Sequence, residues 1–462
     1  EAVQLPLPTS EMPTGLAWRD DGTLIFCSLK GSVWLARDTD GDGIEDRQTL
    51  FADGLPAPYG IAAALDAETG GDAIDVCAKF ALLRLSDRDG DGRADRSQMA
   101  ASDWGYTADY HDWTVGLPRD RQGNYYVGLP CQQDNRGPRA AYLRGSVVEL
   151  QPRRPTSDDP RLFSLRPIAA GLRFPMGLAL NRSGDLFCTD NQGNYTPFNE
   201  LNHLVAGARY GFINKLEQKP GFQPPFQPAA IEIPHPWTRS INGICFLDTP
   251  LEVRAKLGRD LFGPHEGQLI GCEFDTRRLI RLSLDRVGNT YQGAAYPLSL
   301  EPQPDQKTFE GPVVCGVAPD GDVYVGNLRD SGWGGGQNTG SIVRLRPKGE
   351  LPAGIAAVHA ARDGFTIDFA GRVDASLAGD VRNYAVSRYR RIPTPAYGSP
   401  DVDRESVRIE SVVVSAGARQ AALRLERLQP GFVYELRLKP LVPAGQAFFP
   451  AEAHYTLRRI PR

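Results

Sequence analysis

The sequence predicts an all-β protein: a six-bladed β-propeller over residues 1–348, followed by a small β-sandwich over residues 352–462. Three observations predict it. A phrase of glycine, an aliphatic residue and a small or turn residue recurs six times. Most copies lead into a polar turn and an apolar, β-rich run. Two acidic loops begin at Asp38 and Asp87, a blade-sized 49 residues apart.

The phrase reads Gly15-Leu16-Ala17, Gly60-Ile61-Ala62, Gly116-Leu117-Pro118, Gly177-Leu178-Ala179, Gly243-Ile244-Cys245 and Gly316-Val317-Ala318. Turns such as Asp21-Gly22, Ser183-Gly184 and Asp320-Gly321 follow, then runs such as Leu24-Ile25-Phe26, Leu186-Phe187-Cys188 and Val323-Tyr324-Val325. Third strands close several units, at 32–35, 146–150 and 341–345. The fifth unit departs most from the pattern. Beyond a linker at 345–352, alternating runs at 365–369, 407–414, 421–425 and 432–438 suggest a separate sandwich similar to a fibronectin type III module, with a structural or docking role.

Composition agrees with this reading. Forty-nine glycines and 37 prolines in 462 residues suit turn-dense β structure. A net charge of −4 gives no electrostatic case for nucleic acid, and no apolar run approaches the ~18 residues that span a bilayer. Seven cysteines without a C-x-x-C pair argue against a disulfide framework, a zinc knuckle or covalent c-type haem. Cys27, Cys77 and Cys188 recur where Gly128 and Gly326 stand in other units, which suggests inert packing of a small side chain.

Both acidic loops read D-x-D-G-D-G-x-x-D, with Asp38, Asp40, Asp42 and Asp46 in one and Asp87, Asp89, Asp91 and Asp95 in the other. Carboxylates at alternate positions of a glycine-turned loop present hard oxygens to one point, as Ca²⁺ requires. Neither loop has the glutamate at position twelve of an EF-hand, so structural Ca²⁺ is the expectation. Calcium loops, together with a chain that opens at Glu1 in an already folded-looking segment, point to a periplasmic or extracellular protein.

In a propeller, the loops entering the innermost strands converge on one face. Four to six residues before each phrase glycine stand Glu11, Tyr110-His111-Asp112, Arg173, Arg239 and Glu310, with Asn242 directly before its glycine. Clustered ionisable groups in a funnel are the usual mark of a site, although inter-blade salt bridges would use the same residue types. His235-Pro236-Trp237 adds an aromatic platform that suits the C–H face of a sugar or simply packs a loop, and His265-Glu266 adds a further pair.

Several stretches carry a family resemblance. Tyr110-His111, Gly171-Leu172-Arg173-Phe174-Pro175-Met176-Gly177, Asp190-Asn191-Gln192-Gly193 and Asn199-Glu200-Leu201-Asn202-His203 resemble the soluble glucose/sorbosone dehydrogenases, six-bladed propellers that use pyrroloquinoline quinone and calcium. The paired acidic loops, Gly271-Cys272-Glu273-Phe274-Asp275 and Gly326-Asn327-Leu328-Arg329-Asp330 resemble the related bacterial group described as membrane-bound dehydrogenases, often fused to cytochrome c modules. The resemblance implies His111 as general base toward a sugar hydroxyl and Arg173 as stabiliser of developing negative charge. It also implies carbonyls around Asn191 near a cofactor-site calcium, and a cytochrome c as electron acceptor. Two departures stand out: 311–316 offers no arginine, and 270–276 holds Glu273 and Asp275 with no lysine, where the family supplies bases for the quinone carboxylates. Two other functions use the same funnel. A glycan hydrolase or lyase would take His111 or His235 as base and Glu266 or Glu310 as acid. A non-catalytic propeller would only bind a carbohydrate or a protein.

Overall fold

The computed structural model describes the whole chain except residues 67, 110, 132–135, 236, 300–308, 333–335 and 348. Among the described residues, six antiparallel sheets succeed one another up to Leu345. The first runs Pro13–Trp18, Leu24–Ser28, Ser32–Arg37 and Arg47–Ala52 from innermost to outermost strand. The sixth runs Pro312–Val317, Val323–Arg329 and Thr339–Leu345, and takes Ala2–Gln4 from the other end of the chain as its outer strand. Ala2 pairs with Leu345 and Gln4 with Val343, so the first and last residues of the region close the ring.

The recurrent glycine has a physical reason. Each one lies where an innermost strand meets the next sheet. A Cβ on Gly60 would stand 1.9 Å from the Gly116 carbonyl oxygen, and one on Gly177 would stand 2.3 Å from that of Asn242. Gly15 faces Ile61, Gly116 faces Leu178, Gly243 faces Val313, and Gly316 returns to Trp18 of the first sheet. Only a residue without a side chain permits backbone approach this close. The third sheet varies the theme. Its innermost segment contributes isolated bridges, Val115 to Gly128 and Arg119 to Tyr125, instead of a continuous strand. Pro118 explains this, since it has no N–H to give to a ladder.

The cysteines behave as small apolar groups. All seven are free thiols, and six are buried. Burial raises the Cys27 thiol to about 11, so it stays protonated and inert.

The C-terminal strands form two four-stranded layers, but they do not stand apart from the propeller. One layer, Ile355–Ala361, Gly364–Phe369, Gln420–Leu425 and Ile409–Val414, is a sheet of its own. The other extends the fifth sheet. The strand Glu452–Leu457 pairs with Thr290–Pro297, and eight strands run unbroken into Phe432–Leu438, Tyr384–Arg390 and Val402–Ser406. The sandwich core includes Ala294 and Tyr296 from the propeller beside Phe365, Tyr434 and Tyr455. Fully buried Arg281 of the fifth sheet donates to the carbonyls of Ile355, at 2.6 Å, and Ala356. A separate module was the sequence expectation. It overlooks that the outer strand of the fifth sheet has an edge to satisfy, and the second region satisfies it.

Candidate functional site

Strand direction sorts the loops. With the strands of each sheet alternating, the segments entering innermost strands and those joining second to third strands share one end of the ring. Connections from third to fourth strands lie at the other end. At the first end is a cavity whose polar wall is His111, Arg173, Asn191, Arg239, Asn242 and Asp330. Tyr59, Trp113, Phe174 and Phe274 give it aromatic sides. With Leu29 from the first sheet, the lining residues come from every sheet in turn, which is why no short stretch of sequence contains the site.

His111 is half-buried and held edge-on by two rings, Trp113 at 5.3 Å and Phe174 at 5.7 Å between centroids. Its backbone N–H donates to Asp109 at 2.8 Å, and the same carboxylate oxygen lies 3.5 Å from its ring Nδ1. Burial is the largest influence on its pKa and lowers it below the ordinary histidine value. Asp109 opposes this and Arg173 adds to it. A neutral imidazole oriented by a carboxylate can accept a proton.

Arg173 donates from Nη1 to the Gln192 carbonyl at 3.1 Å and lies over the rings of Phe174, at 5.2 Å, and Tyr397, at 5.1 Å. Its Nε and the Asn191 Oδ1 have no hydrogen-bond partner among the described residues. An unmatched buried donor and acceptor beside one cavity favour a polar ligand. Buried carboxylates position both arginines through their backbones. Asp190 accepts the N–H groups of Arg173, at 3.0 Å, and Phe174, at 2.5 Å. Glu273 accepts those of Arg239, at 2.8 Å, and Ser240. In the first sheet Ser28 does the same for Met12 at 3.0 Å.

Other sequence candidates go elsewhere. Tyr110 lies outside the described residues. Asp112 is fully buried and occupied by Arg136 at 2.8 Å and by the Thr107 N–H at 2.6 Å, so it braces the loop instead of facing the cavity. Glu310 is half-buried and off the cavity wall, and Glu11 accepts from Ser32 at 2.9 Å. His235 sits behind the wall against Gln192 Oε1 at 2.6 Å; burial, aided by Arg391 and Arg239, pulls its pKa down to about 4. Trp237 packs in the core, edge-on to His454 at 4.7 Å, and offers no face to a sugar. His265 and Glu266 belong to the connection between the first two strands of the fifth sheet, at the far end of the ring. There Glu266 holds Thr249 and Arg254. Asp330 and Tyr397 line the cavity without being site candidates in the sequence. Asp330 follows a second strand, as Asn191 does, and that shared position is the signal that could have found it. Tyr397 comes from the C-terminal region and has no such signal.

Both acidic loops join third to fourth strands, so they lie at the end opposite the cavity. Asp38 accepts the N–H groups of Gly41 and Gly43 at 2.7 Å each, and Asp42 accepts that of Ile44 at 2.8 Å. Asp87 repeats this with Gly90 and Gly92, and Asp91 with Arg93. Oxygens of Asp38, Asp40 and Asp42, and of Asp87, Asp89 and Asp95, gather within 4.8 Å of one another. Asp46 closes the first loop on the Thr39 N–H at 2.9 Å, as Asp95 does the second on the Arg88 N–H at 3.1 Å.

Over residues 10–227 the chain matches a family described as a domain of unknown function, DUF7133. No curated protein matches it. Among solved structures, its fold is similar to the soluble aldose sugar dehydrogenase of Escherichia coli in the apo form, at 16% identity over 75% of this chain and 99% of the other, with a TM-score of 0.46. The PQQ-bound aldose sugar dehydrogenase of Streptomyces coelicolor is similar at 15% identity over 74% and 98%, with a TM-score of 0.48. A gluconolactonase of Xanthomonas campestris is similar at 16% identity over 74% and 88%, with a TM-score of 0.42. These are likenesses of fold.

A quinone with several carboxylates needs cations and flat walls. The cavity has two guanidiniums, Arg173 and Arg239, between aromatic sides. Glu273, the acid that the sequence sets against such a group, spends both carboxylate oxygens on the N–H groups of Arg239, Ser240 and Thr276 and is not on the cavity wall. Among the described lining residues only Asp330 carries negative charge. The donor set fits an anionic ring.

Proposed function

We propose that this protein binds a carbohydrate in the cavity and oxidises one of its hydroxyls. The observation that carries the reading is one wall holding a half-buried, carboxylate-flanked His111 beside a permanently charged Arg173. His111 takes the hydroxyl proton. Arg173 steadies the negative charge that grows on the oxygen, and it cannot exchange roles with His111 because it does not give up its proton. Asn191 and Asn242 orient neighbouring hydroxyls, while the aromatic sides exclude water. Pyrroloquinoline quinone, held by Arg173 and Arg239, would supply the two-electron sink that such an oxidation requires. A cytochrome c would accept the electrons onward, in the periplasm or outside the cell. The acidic loops would each hold a structural Ca²⁺ away from the chemistry, their oxygens already drawn together by their own glycine N–H groups.

A dye-linked assay over a sugar panel, with quinone and Ca²⁺ supplied, tests this. Sugar-dependent dye reduction supports it. An oligosaccharide shortened with no acceptor reduced replaces it with the hydrolase or lyase reading. Sugar binding that survives loss of His111, with no turnover, replaces it with the binding-propeller reading.

A further inference from the structure

One loop of the C-terminal sandwich, residues 391–401, crosses to the rim of the propeller cavity. It is fastened there at several points. The Thr394 carbonyl accepts the Tyr195 N–H at 2.7 Å, and the Gly398 N–H donates to the Gly193 carbonyl at 3.3 Å. Tyr397 forms a backbone bridge with Asn194. At the loop's base, Arg391 donates to the Pro197 carbonyl at 3.1 Å, lies 4.5 Å over the Phe198 ring and pairs with Asp401 at 2.8 Å. All these contacts but the Arg391–Asp401 pair fall on the turn that follows Asn191 in the fourth sheet.

The result is an aromatic ring at the cavity mouth. Tyr397 lines the cavity yet is 56% exposed, with the Arg173 guanidinium 5.1 Å from its ring centroid. A core aromatic would be buried, and a loose surface aromatic would lack the pinned backbone on both sides. Glycine at 398, with φ +70°, lets the loop turn sharply just after the ring and run against Gln192.

We infer that Tyr397 is a specificity-determining residue of the site, the platform on which a sugar ring lays its C–H face while Arg173 and Asn191 reach its hydroxyls. This rests on the carbohydrate reading above. Stacking on a pyranose needs a flat apolar face with a polar tip at the water boundary, which is what a tyrosine at a cavity mouth provides. The sandwich then belongs to the binding site: without it the propeller keeps its polar wall and its four aromatic sides and loses the ring at the mouth.

Full-length protein and the variants Tyr397→Ala, Tyr397→Phe and Tyr397→Leu would be titrated by saturation-transfer NMR. The ligands are aldohexoses, aldopentoses, hexuronates and their disaccharides. The expected result is that the wild type binds at least one of them. Tyr397→Ala and Tyr397→Leu then weaken that sugar about tenfold, while Tyr397→Phe stays within about twofold. Melting temperatures should hold throughout, because the ring is exposed. Equal affinity in the wild type and Tyr397→Ala, or full affinity in Tyr397→Leu, overturns the platform and leaves the carbohydrate reading standing. A wild type that binds no sugar in the panel overturns the carbohydrate reading and the platform with it.

Discussion

At the scale of single residues, the useful distinction is between a charge that faces the cavity and one that is consumed before it gets there. Arg173 and Glu273 look alike in sequence, polar residues near a phrase glycine or a strand end. The structure turns one toward the cavity and spends the other on backbone N–H groups. Sequence position makes His111, Arg173, Arg239, Asn191 and Asn242 legible as neighbours, because equivalent places in a repeat converge. It cannot show which side chains turn inward, and Trp237, Asp112 and Glu310 turn elsewhere. Replacing His111 by Gln should cost roughly 10²–10⁴ in turnover with little change in KM, measured in the dye-linked assay. The pH profile carries a sign. A base whose pKa is lowered stays neutral into more acid solution, so the acid limb of kcat/KM should lie below the ordinary histidine value of 6.5. Asp109 raises that pKa, so Asp109→Asn should move the limb further toward acid. A limb that moves the other way would remove Asp109 from the site. Gly60→Ala tests the ring seam, where a Cβ meets the Gly116 carbonyl at 1.9 Å. Overpacking of this kind should cost about 1–3 kcal/mol in a denaturant melt.

At the scale of elements, the turn geometry of the acidic loops is legible, since the carboxylates and turn glycines sit within nine consecutive residues. Each loop shapes itself with hydrogen bonds to its own backbone, and an ion bound there would add stability by binding the folded form alone. Chelation with EDTA should lower the melting temperature and added Ca²⁺ should restore it. An unchanged melt, with no calcium found by elemental analysis, would remove the ions. The contact of the fifth sheet with the sandwich was not legible, because it joins residues far apart in sequence. His359 lies between Asp285, at 2.6 Å, and Asp368, at 3.3 Å. Those two carboxylates raise its pKa to about 10 against the opposing effect of burial. A folded pKa above the unfolded one gives stability that is whole below pH 6.5 and is lost as pH rises toward 10. The melting-temperature gap between the wild type and His359→Ala should therefore be widest near pH 6 and shrink through this range. A gap that is flat with pH would discard the ion pair as a source of stability.

At the scale of the whole molecule, the repeat was legible and the joint was not. Period and composition reveal a propeller and a second β-rich region. They carry no sign that Glu452–Leu457 completes a sheet begun at Ile241–Phe246, because an edge strand looks the same whether water or a neighbour covers it. A chain cut near residue 348 is the natural experiment. Removing the second region uncovers the edge of Thr290–Pro297 and the ring of Tyr296, so the isolated propeller should aggregate or melt well below the full chain in size-exclusion and thermal assays. A truncated propeller as stable and monomeric as the parent would show that the shared sheet contributes nothing.

The pairing of the chain's opening strand with the end of the sixth sheet also sets a clock. Ala2 pairs with Leu345, 343 positions away. At ribosomal speeds of about 5–20 residues per second, roughly 20–70 s separate the synthesis of one partner from that of the other. Throughout that interval the nascent chain carries an unmatched strand and an unclosed circle. The ring can only snap shut late, as a single event, once the sixth sheet offers its outer edge to Ala2–Gln4.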